Sequence, residues 1–183
     1  MYSNLPVIEA ERLILRPVEP GDYRAVFEYA GDPEAAKYAS WDAHKTIRES
    51  KVLVDFIRKR YAQNRPSNWA VVLKENKRMI GTCGFLSDFP ANKRAEIGFA
   101  LSRTFWNRGY ATEAAKKTIE FGFNDLKLNR IEAFCDEQNR ASARVLEKIG
   151  MKQEGVFRQY VYSKGSFRNM SAYAILAEEF CRQ

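Results

Sequence analysis

Glu96-Ile97-Gly98-Phe99-Ala100-Leu101-Ser102-Arg103-Thr104-Phe105-Trp106-Asn107-Arg108-Gly109-Tyr110-Ala111-Thr112-Glu113-Ala114 is the stretch that decides the fold. It reads as a strand that passes through a short loop into a helix, with Gly109 placed where the backbone must turn closely as the helix begins. Unpaired amides at a helix N-terminus, together with the partial positive charge of the helix dipole, bind a pyrophosphate readily. Arg108 would add a fixed charge and a fork that matches phosphate oxygens. A plain helix start, with glycine chosen for tight packing, explains the same residues.

Upstream of this stretch, two further strands, Asn68 to Lys74 and Met79 to Ser87, form an antiparallel meander with the strand Ala95 to Ser102, divided by polar turns. Downstream, the helix from Tyr110 to Leu126 leads into a strand at Arg130 to Cys135, giving a strand-helix-strand unit. A helix opened by Asn139 or Ser142 then stops at Gly150. Two long strands, Lys152 to Tyr162 and Arg168 to Leu176, close the chain as a hairpin. At the other end, Arg12 to Val18 is a first strand. Two or three helices follow it, the longest being introduced by the capping-box spacing of Thr46 and Glu49. The expected fold class is therefore α/β (α+β): a mixed, mostly antiparallel sheet of about six to seven strands with helices on both faces. No repeat, low-complexity tract or linker divides the chain, so residues 1–183 read as one domain.

Composition narrows the function. With 183 residues, 45% of them hydrophobic and 29% charged, the chain suits a globular domain able to build its own core. Its longest uncharged apolar runs fall far short of the ~20 residues of a membrane helix. The opening Met1-Tyr2-Ser3-Asn4-Leu5-Pro6 has no leader pattern, which points to a cytoplasmic protein. Three scattered cysteines, Cys83, Cys135 and Cys181, offer neither a disulfide framework nor a metal knuckle, and are expected to be buried thiols. A single histidine, His44, removes most imidazole metal sites, and no metal is expected. Neither GxxxxGK[ST] nor GxGxxG occurs, so kinases, P-loop hydrolases and dinucleotide dehydrogenases recede. The net charge of +7 allows an anionic partner without identifying it.

A second segment, Asn139-Arg140-Ala141-Ser142-Ala143-Arg144-Val145-Leu146-Glu147-Lys148-Ile149-Gly150-Met151, sets Asn139 and Ser142 ahead of an apolar stripe of Ala143, Leu146 and Ile149. Singly, both polar residues are good helix caps. Together with the first segment they carry a resemblance. The chain resembles the GNAT superfamily of acetyl-CoA-dependent N-acetyltransferases, whose motif is Q/R-x-x-G-x-G/A. The corresponding run here is Trp106-Asn107-Arg108-Gly109-Tyr110-Ala111, with Trp106 in place of the usual Gln or Arg. The forms W-x-x-G-Y-A-T-E-A, E-I-G-F and N-x-x-S-x-x-x-L-E-K-x-G-M, and the opening Glu11-Arg12-Leu13-Ile14-Leu15-Arg16, look like the RimJ/RimL branch, which acetylates ribosomal-protein N-termini.

The resemblance implies that acetyl-CoA lies in a V-shaped opening between the strand ending near Ser102 and the strand at Arg130 to Cys135. Amides of Arg108, Gly109, Tyr110, Ala111 and Thr112 would hold the pyrophosphate. Phe99, Ala100 and Leu101 would pair with the pantetheine amides, Asn139 would bond the same arm, and Lys148 would approach the adenosine phosphates. Acyl transfer to an amine needs a neutral nucleophile, a polarised carbonyl and a stabilised leaving thiolate. Glu96 shares a strand face with Gly98 and Ala100 and is the candidate general base; a strand-end carboxylate paired with Arg94 or Lys93 is the alternative. Many members carry a Tyr as thiol acid where Leu146 stands here, which leaves Ser142 as the residue to stabilise the departing sulfur. The branch also uses a carboxylate on the penultimate strand, and Tyr160-Val161-Tyr162 has none.

An α-amine of pKa ~8 is partly neutral at pH 7, whereas lysine near ~10.4 is not, so modest base strength favours protein or peptide N-termini. Tyr38, Trp41, Tyr160 and Tyr162 are candidate walls for the acceptor, or else core aromatics. Alternatives are a small-molecule amine acceptor, such as a polyamine, an aminoglycoside or an amino acid, and a non-catalytic basic RNA- or ribosome-binding module. No membrane and no direct nucleic-acid partner is expected, and monomer and homodimer both fit.

Overall fold

The computed structural model of the protein describes residues 5–181. Its strands are β1 (Ile8–Glu9), β2 (Leu13–Pro17), β3 (Asn68–Leu73), β4 (Met79–Phe89), β5 (Arg94–Leu101), β6 (Arg130–Asp136), β7 (Lys152–Ser163) and β8 (Ser166–Leu176). Its helices are α1 (Tyr23–Ala30), α2 (Pro33–Ala36), α3 (Ile47–Ala62), α4 (Tyr110–Asn124), α5 (Arg140–Lys148) and α6 (Ala177–Phe180). The strands form one eight-stranded sheet in the order β1-β2-β3-β4-β5-β6-β8-β7. Seven were expected at most; the eighth, β1, is a two-residue pairing with β2, too short to leave an alternating pattern.

Period-two alternation gives the sheet two apolar faces. One carries Phe85, Ala95, Ile97, Ile131 and Tyr173 and packs beneath α4 and α5. The other carries Ala70, Val72 and Met79 and packs beneath α1 and α3 through Val26, Tyr29, Val54 and Ile57. The inward stripe of α4 is mostly small, with Ala114, Ala115, Thr118 and Gly122 buried, so the helix lies close on the strands.

All neighbouring strands are antiparallel except β5 and β6, which run parallel. That pair is joined only at Arg94–Arg130, Ala95–Ile131 and Glu96–Glu132. On the outer flanks the ladders continue, β4 with β5 as far as Leu101 and β6 with β8 as far as Asp136. Beyond Glu96 the two central strands therefore diverge, and the inner edges of Ile97–Leu101 and Ala133–Asp136 border a V-shaped opening. Parallel strands bridged by a helix have no turn to hold their far ends together, which lets the sheet split here.

Cys83 and Cys135 are buried, whereas Cys181, expected to be buried as well, is exposed after α6. His44 bonds through Nδ1 to the buried Ser50 hydroxyl at 2.8 Å and is a structural residue. Among the described residues no helix is long and apolar enough to cross a membrane, and no group of three or more His, Cys, Asp or Glu could hold a metal ion.

Candidate active site

At the open end of β5 the chain turns through Asn107 at φ 59° and Gly109 at φ 80°, both left-handed, and enters α4. The first helical bond runs from the Glu113 amide to the Gly109 carbonyl at 3.0 Å, and no side chain caps the helix. Among the described residues, the amides of Tyr110, Ala111 and Thr112 have no protein acceptor and point past the N-terminus. The left-handed turn that aims them is cheap at Gly109 and tolerable at Asn107. Arg108 is exposed beside them, its guanidinium over the Phe105 ring at 5.8 Å.

Trp106, which departs from the family motif, ties the loop to the end of β5 by donating its indole N–H to the Leu101 carbonyl at 2.8 Å. One lone pair of Leu101 is thereby taken, and its side chain is buried. The Ser102 amide donates to the Ile80 carbonyl at 2.8 Å, so in this antiparallel register Ala100 turns its amide and carbonyl to Thr82 on β4, and Phe99 offers its backbone to the opening. Phe99 packs toward α4 and Ala100 toward α1. A salt bridge of 2.8 Å from Arg103 to Asp32 fastens the same loop to the N-cap of α2.

On the sheet face that also carries α1 and α3, Glu96 stands at the point where the strands part. Ser87 lies opposite it on β4 and donates its hydroxyl to Oε2 at 3.1 Å. Glu132, its partner across the parallel pair, is buried and ion-paired with Arg94 at 3.6 Å and Arg130 at 3.0 Å. Arg94, a sequence candidate for pairing with Glu96, is thus committed to Glu132, and among the described residues Glu96 has no cationic partner. Burial holds the Glu96 carboxyl above its ordinary value, the Ser87 hydrogen bond opposes that rise, and the Glu132 charge adds to it.

Across the opening, Asn139 Oδ1 accepts from the Ser142 amide at 3.1 Å, so Asn139 is the N-cap of α5 and keeps its NH₂ group for another partner. The Ser142 side chain is half-buried in the first turn of α5, and Leu146 is buried in the core beneath α4 and α5. Lys148 stands exposed in the last turn, at the far end of the helix from Asn139. Burial pushes the thiols of Cys83 and Cys135 up to about 12 and about 11, which keeps both protonated near neutral pH.

The four aromatic candidates do not stay together. Tyr160 stacks on Phe157 at 5.0 Å and on Phe134 at 6.1 Å, on the Glu96 face. Tyr162 pairs with Phe167 and meets its ring at 5.0 Å on the opposite face, so it does not share a wall with Tyr160. Both tyrosines are exposed, which rules out the core alternative for them. Trp41 packs into the cluster under α1 and α3, its indole nitrogen enclosed without a partner among the described residues. Tyr38 is half-buried beside Lys37. The tip of the β7–β8 hairpin reaches this segment: Lys164 donates to the carbonyls of Ala36, Lys37 and Ala39. Two polar cavities of about 320 and 340 Å³ flank the end of β6, one toward the hairpin and one toward α5, and neither contains Glu96 or the α4 amides.

Residues 12–152 match the acetyltransferase (GNAT) domain. The chain belongs to the GNAT acetyltransferase family. This GNAT acetyltransferase is 32% identical to the uncharacterized N-acetyltransferase p20 of Bacillus licheniformis, over 96% of this chain and 99% of p20. The crystal structure of a GNAT-family acetyltransferase from Bacillus anthracis matches it with a TM-score of 0.86 at 34% identity, covering 94% of this chain and 99% of that one. The fold is also that of the RimL ribosomal α-N-protein acetyltransferase in complex with coenzyme A, at a TM-score of 0.83 and 20% identity over 93% of this chain and 98% of that one. Spermidine N(1)-acetyltransferase of Escherichia coli is 23% identical over 93% of this chain and 89% of the enzyme.

Two arrangements beside the candidate site were missed in the sequence. One is the arginine set around Glu132, joined by Glu154, which accepts from both Arg130 nitrogens at 2.8 and 2.5 Å. The other is Arg12, which lies against the α4 loop from 101 residues away. Only the Glu11-Arg12-Leu13 run hinted at it, and that run reads simply as a strand start.

Proposed function

We propose that this GNAT acetyltransferase moves the acetyl group of acetyl-CoA directly to the α-amine of a protein or peptide N-terminus, both substrates being bound together. Acetyl-CoA supplies an activated thioester. The splayed β5–β6 edges and the outward amides of Tyr110, Ala111 and Thr112 suit the pantetheine arm and the diphosphate in turn. Phe99 would align the arm through its backbone, and Arg108 would add a charge at the diphosphate. Glu96 would take the amine proton, directly or through a water, while the Ser142 hydroxyl hydrogen-bonds the departing sulfur. Direct transfer is supported by the thiols of Cys83 and Cys135, both held protonated and so poor acyl carriers.

The acceptor class rests on one observation: among the described residues, Glu96 is the carboxylate without a cation at the point where β5 and β6 part, while Glu137 and Glu147 lie beyond it along the cavities at the end of β6. Glu132 and Glu154 are held by arginines, Asp136 lies 3.7 Å from Arg168, and Asp32 is held by Arg103. A polyamine or aminoglycoside carries several charges and needs several free carboxylates, whereas an N-terminal amine needs one base and room for a chain. The aromatic group of Phe134, Phe157 and Tyr160 offers such a chain a wall. The distant likeness to a spermidine acetyltransferase keeps a small amine as the second reading.

Release of free thiol from acetyl-CoA tests this, with an unblocked peptide beginning Ser or Ala set against its N-blocked, lysine-bearing twin and against spermidine. Turnover confined to the free N-terminus is expected. Faster turnover of the blocked peptide or of spermidine would overturn the acceptor assignment while leaving the donor in place.

A further inference from the structure

Arg12 precedes β2 at the edge of the α4 side of the sheet, and no part of the chemistry above uses it. Its backbone amide donates to Glu113 Oε1 at 2.7 Å and its Nε to Glu113 Oε2 at 2.8 Å, so one residue occupies both carboxylate oxygens. Its Nη1 donates to the Arg108 carbonyl at 3.0 Å. Its guanidinium carbon lies 4.6 Å from the centre of the Tyr110 ring. A Cβ on Gly109 would come within 3.3 Å of its Nη2. Three of the six residues from Arg108 to Glu113, Arg108, Tyr110 and Glu113, thus touch this single side chain or its amide.

Two physical consequences follow. A loop with two left-handed residues has other conformations open to it, and the Arg12 contacts at Arg108 and Tyr110 hold it in the one that aims the α4 amides outward. Glu113, in the first turn of α4, also puts a negative charge where a diphosphate must bind. Arg12 neutralises it with a two-point bond, so an approaching anion meets the helix dipole and Arg108 without that repulsion. Arg12 is 45% exposed, so its pair with Glu113 contributes little to global stability, and its removal should leave a folded protein.

We propose that Arg12 is a positioning residue for the diphosphate of the acetyl donor, acting by bracing the 108–113 turn and by masking the Glu113 charge. This rests on the acetyl-CoA reading above, so wild-type binding of acetyl-CoA and of coenzyme A by calorimetry comes first; no binding there refutes the donor assignment and leaves nothing for Arg12 to position. With binding established, Arg12→Met should raise the acetyl-CoA KM about tenfold, the scale of a lost charged hydrogen bond. It should leave the acceptor KM and the saturated kcat within about twofold. Arg12→Lys, which keeps a charge beside Glu113 but loses the fork, should fall between the two. Arg12→Met/Glu113→Gln should regain about threefold of the lost affinity, because the exposed repulsion is gone.

An unchanged acetyl-CoA KM in Arg12→Met overturns the proposal. So does an equal loss in both KM values and in kcat accompanied by a lowered melting temperature, which is the mark of general damage. A double variant no better than Arg12→Met overturns the charge-masking half and leaves bracing alone.

Discussion

Replacing Gly81 by alanine should separate the strand that carries the open edge of the site from its neighbour. Gly81 lies on β4 opposite Leu101, and a Cβ built on it would sit 2.1 Å from the Ala100 carbonyl oxygen, 2.5 Å from Leu101 Cδ2 and 2.7 Å from Leu101 Cα. Real Cβ atoms come no closer than 3.0 Å, so the nearest pair must part by about 0.9 Å, and two of the three obstacles are backbone. Overpacking of this kind costs about 1–3 kcal/mol, and backbone obstacles place it toward the upper end. The lower entropy of an unfolded alanine returns about 0.4–1 kcal/mol, for a net loss of about 2 kcal/mol. At about 2–4 °C per kcal/mol for a chain of this size, the melting temperature should fall by about 4–8 °C.

Thermal unfolding followed by circular dichroism measures this, with Gly21→Ala as control, since nothing lies within 4 Å of a Cβ there. The acetyl-CoA KM should rise in the same variant, because the displaced segment of β5 also carries Phe99 and Leu101, whose outer edge borders the opening. A Gly81→Ala protein that melts with the wild type would show that the β4–β5 contact yields at no cost, and the reasoning would fail.

Glu96→Gln should lower kcat by about 10²-fold or more if Glu96 is the base. In the wild type, the acid limb of the kcat/KM profile should lie above the ordinary carboxylate range, because burial raises the Glu96 pKa. The same shift has a stability sign: a carboxyl with a raised folded-state pKa stabilises at low pH and loses that contribution as pH rises through its folded value. Glu96→Gln should therefore melt higher than wild type at neutral pH, and the gap should close as pH falls below the ordinary carboxylate range; a variant less stable at pH 7 would contradict this. Lys164→Met, which frees the hairpin tip from the carbonyls of Ala36, Lys37 and Ala39, should raise the acceptor KM about fivefold and leave that of acetyl-CoA unchanged. Parallel changes in both constants would deny the hairpin a role specific to the acceptor.

What the sequence disclosed was local. The Glu96–Ala114 stretch, the meander before it and the closing hairpin each carry their signal within about twenty residues, in periodicity and turn chemistry that survive without neighbours. The parting of β5 from β6 came instead from the resemblance, since no residue within either strand announces that its pairing stops after Glu96. Tyr160 and Tyr162 show where a local rule misleads. Two residues apart on a regular strand, they should share a face, but the β7 register shifts between Phe157 and Val161, where Gln159 turns left-handed at φ 52° and bonds Asn169 through its amide. The extra residues leave Tyr160 beside Phe134 and send Tyr162 to the other side.

The same limit governs charge. Arg94 and Lys93 are the cations nearest Glu96 in sequence, and neighbour counting pairs them with it. Yet Arg94 turns to Glu132, a residue brought alongside by the parallel pairing, and lies over the Phe89 ring at 4.2 Å. Glu132, enclosed between strands, is much the costlier charge to leave unpaired, and it draws both Arg94 and Arg130. The less buried Glu96 is left with a hydroxyl and no cation, so burial, and after it the Glu132 charge, keeps its pKa raised against the opposing Ser87 hydrogen bond. A candidate base here is thus the by-product of a more demanding neighbour, and removing Glu132 should pull Arg94 or Arg130 toward Glu96 and lower the pH at which the acid limb falls.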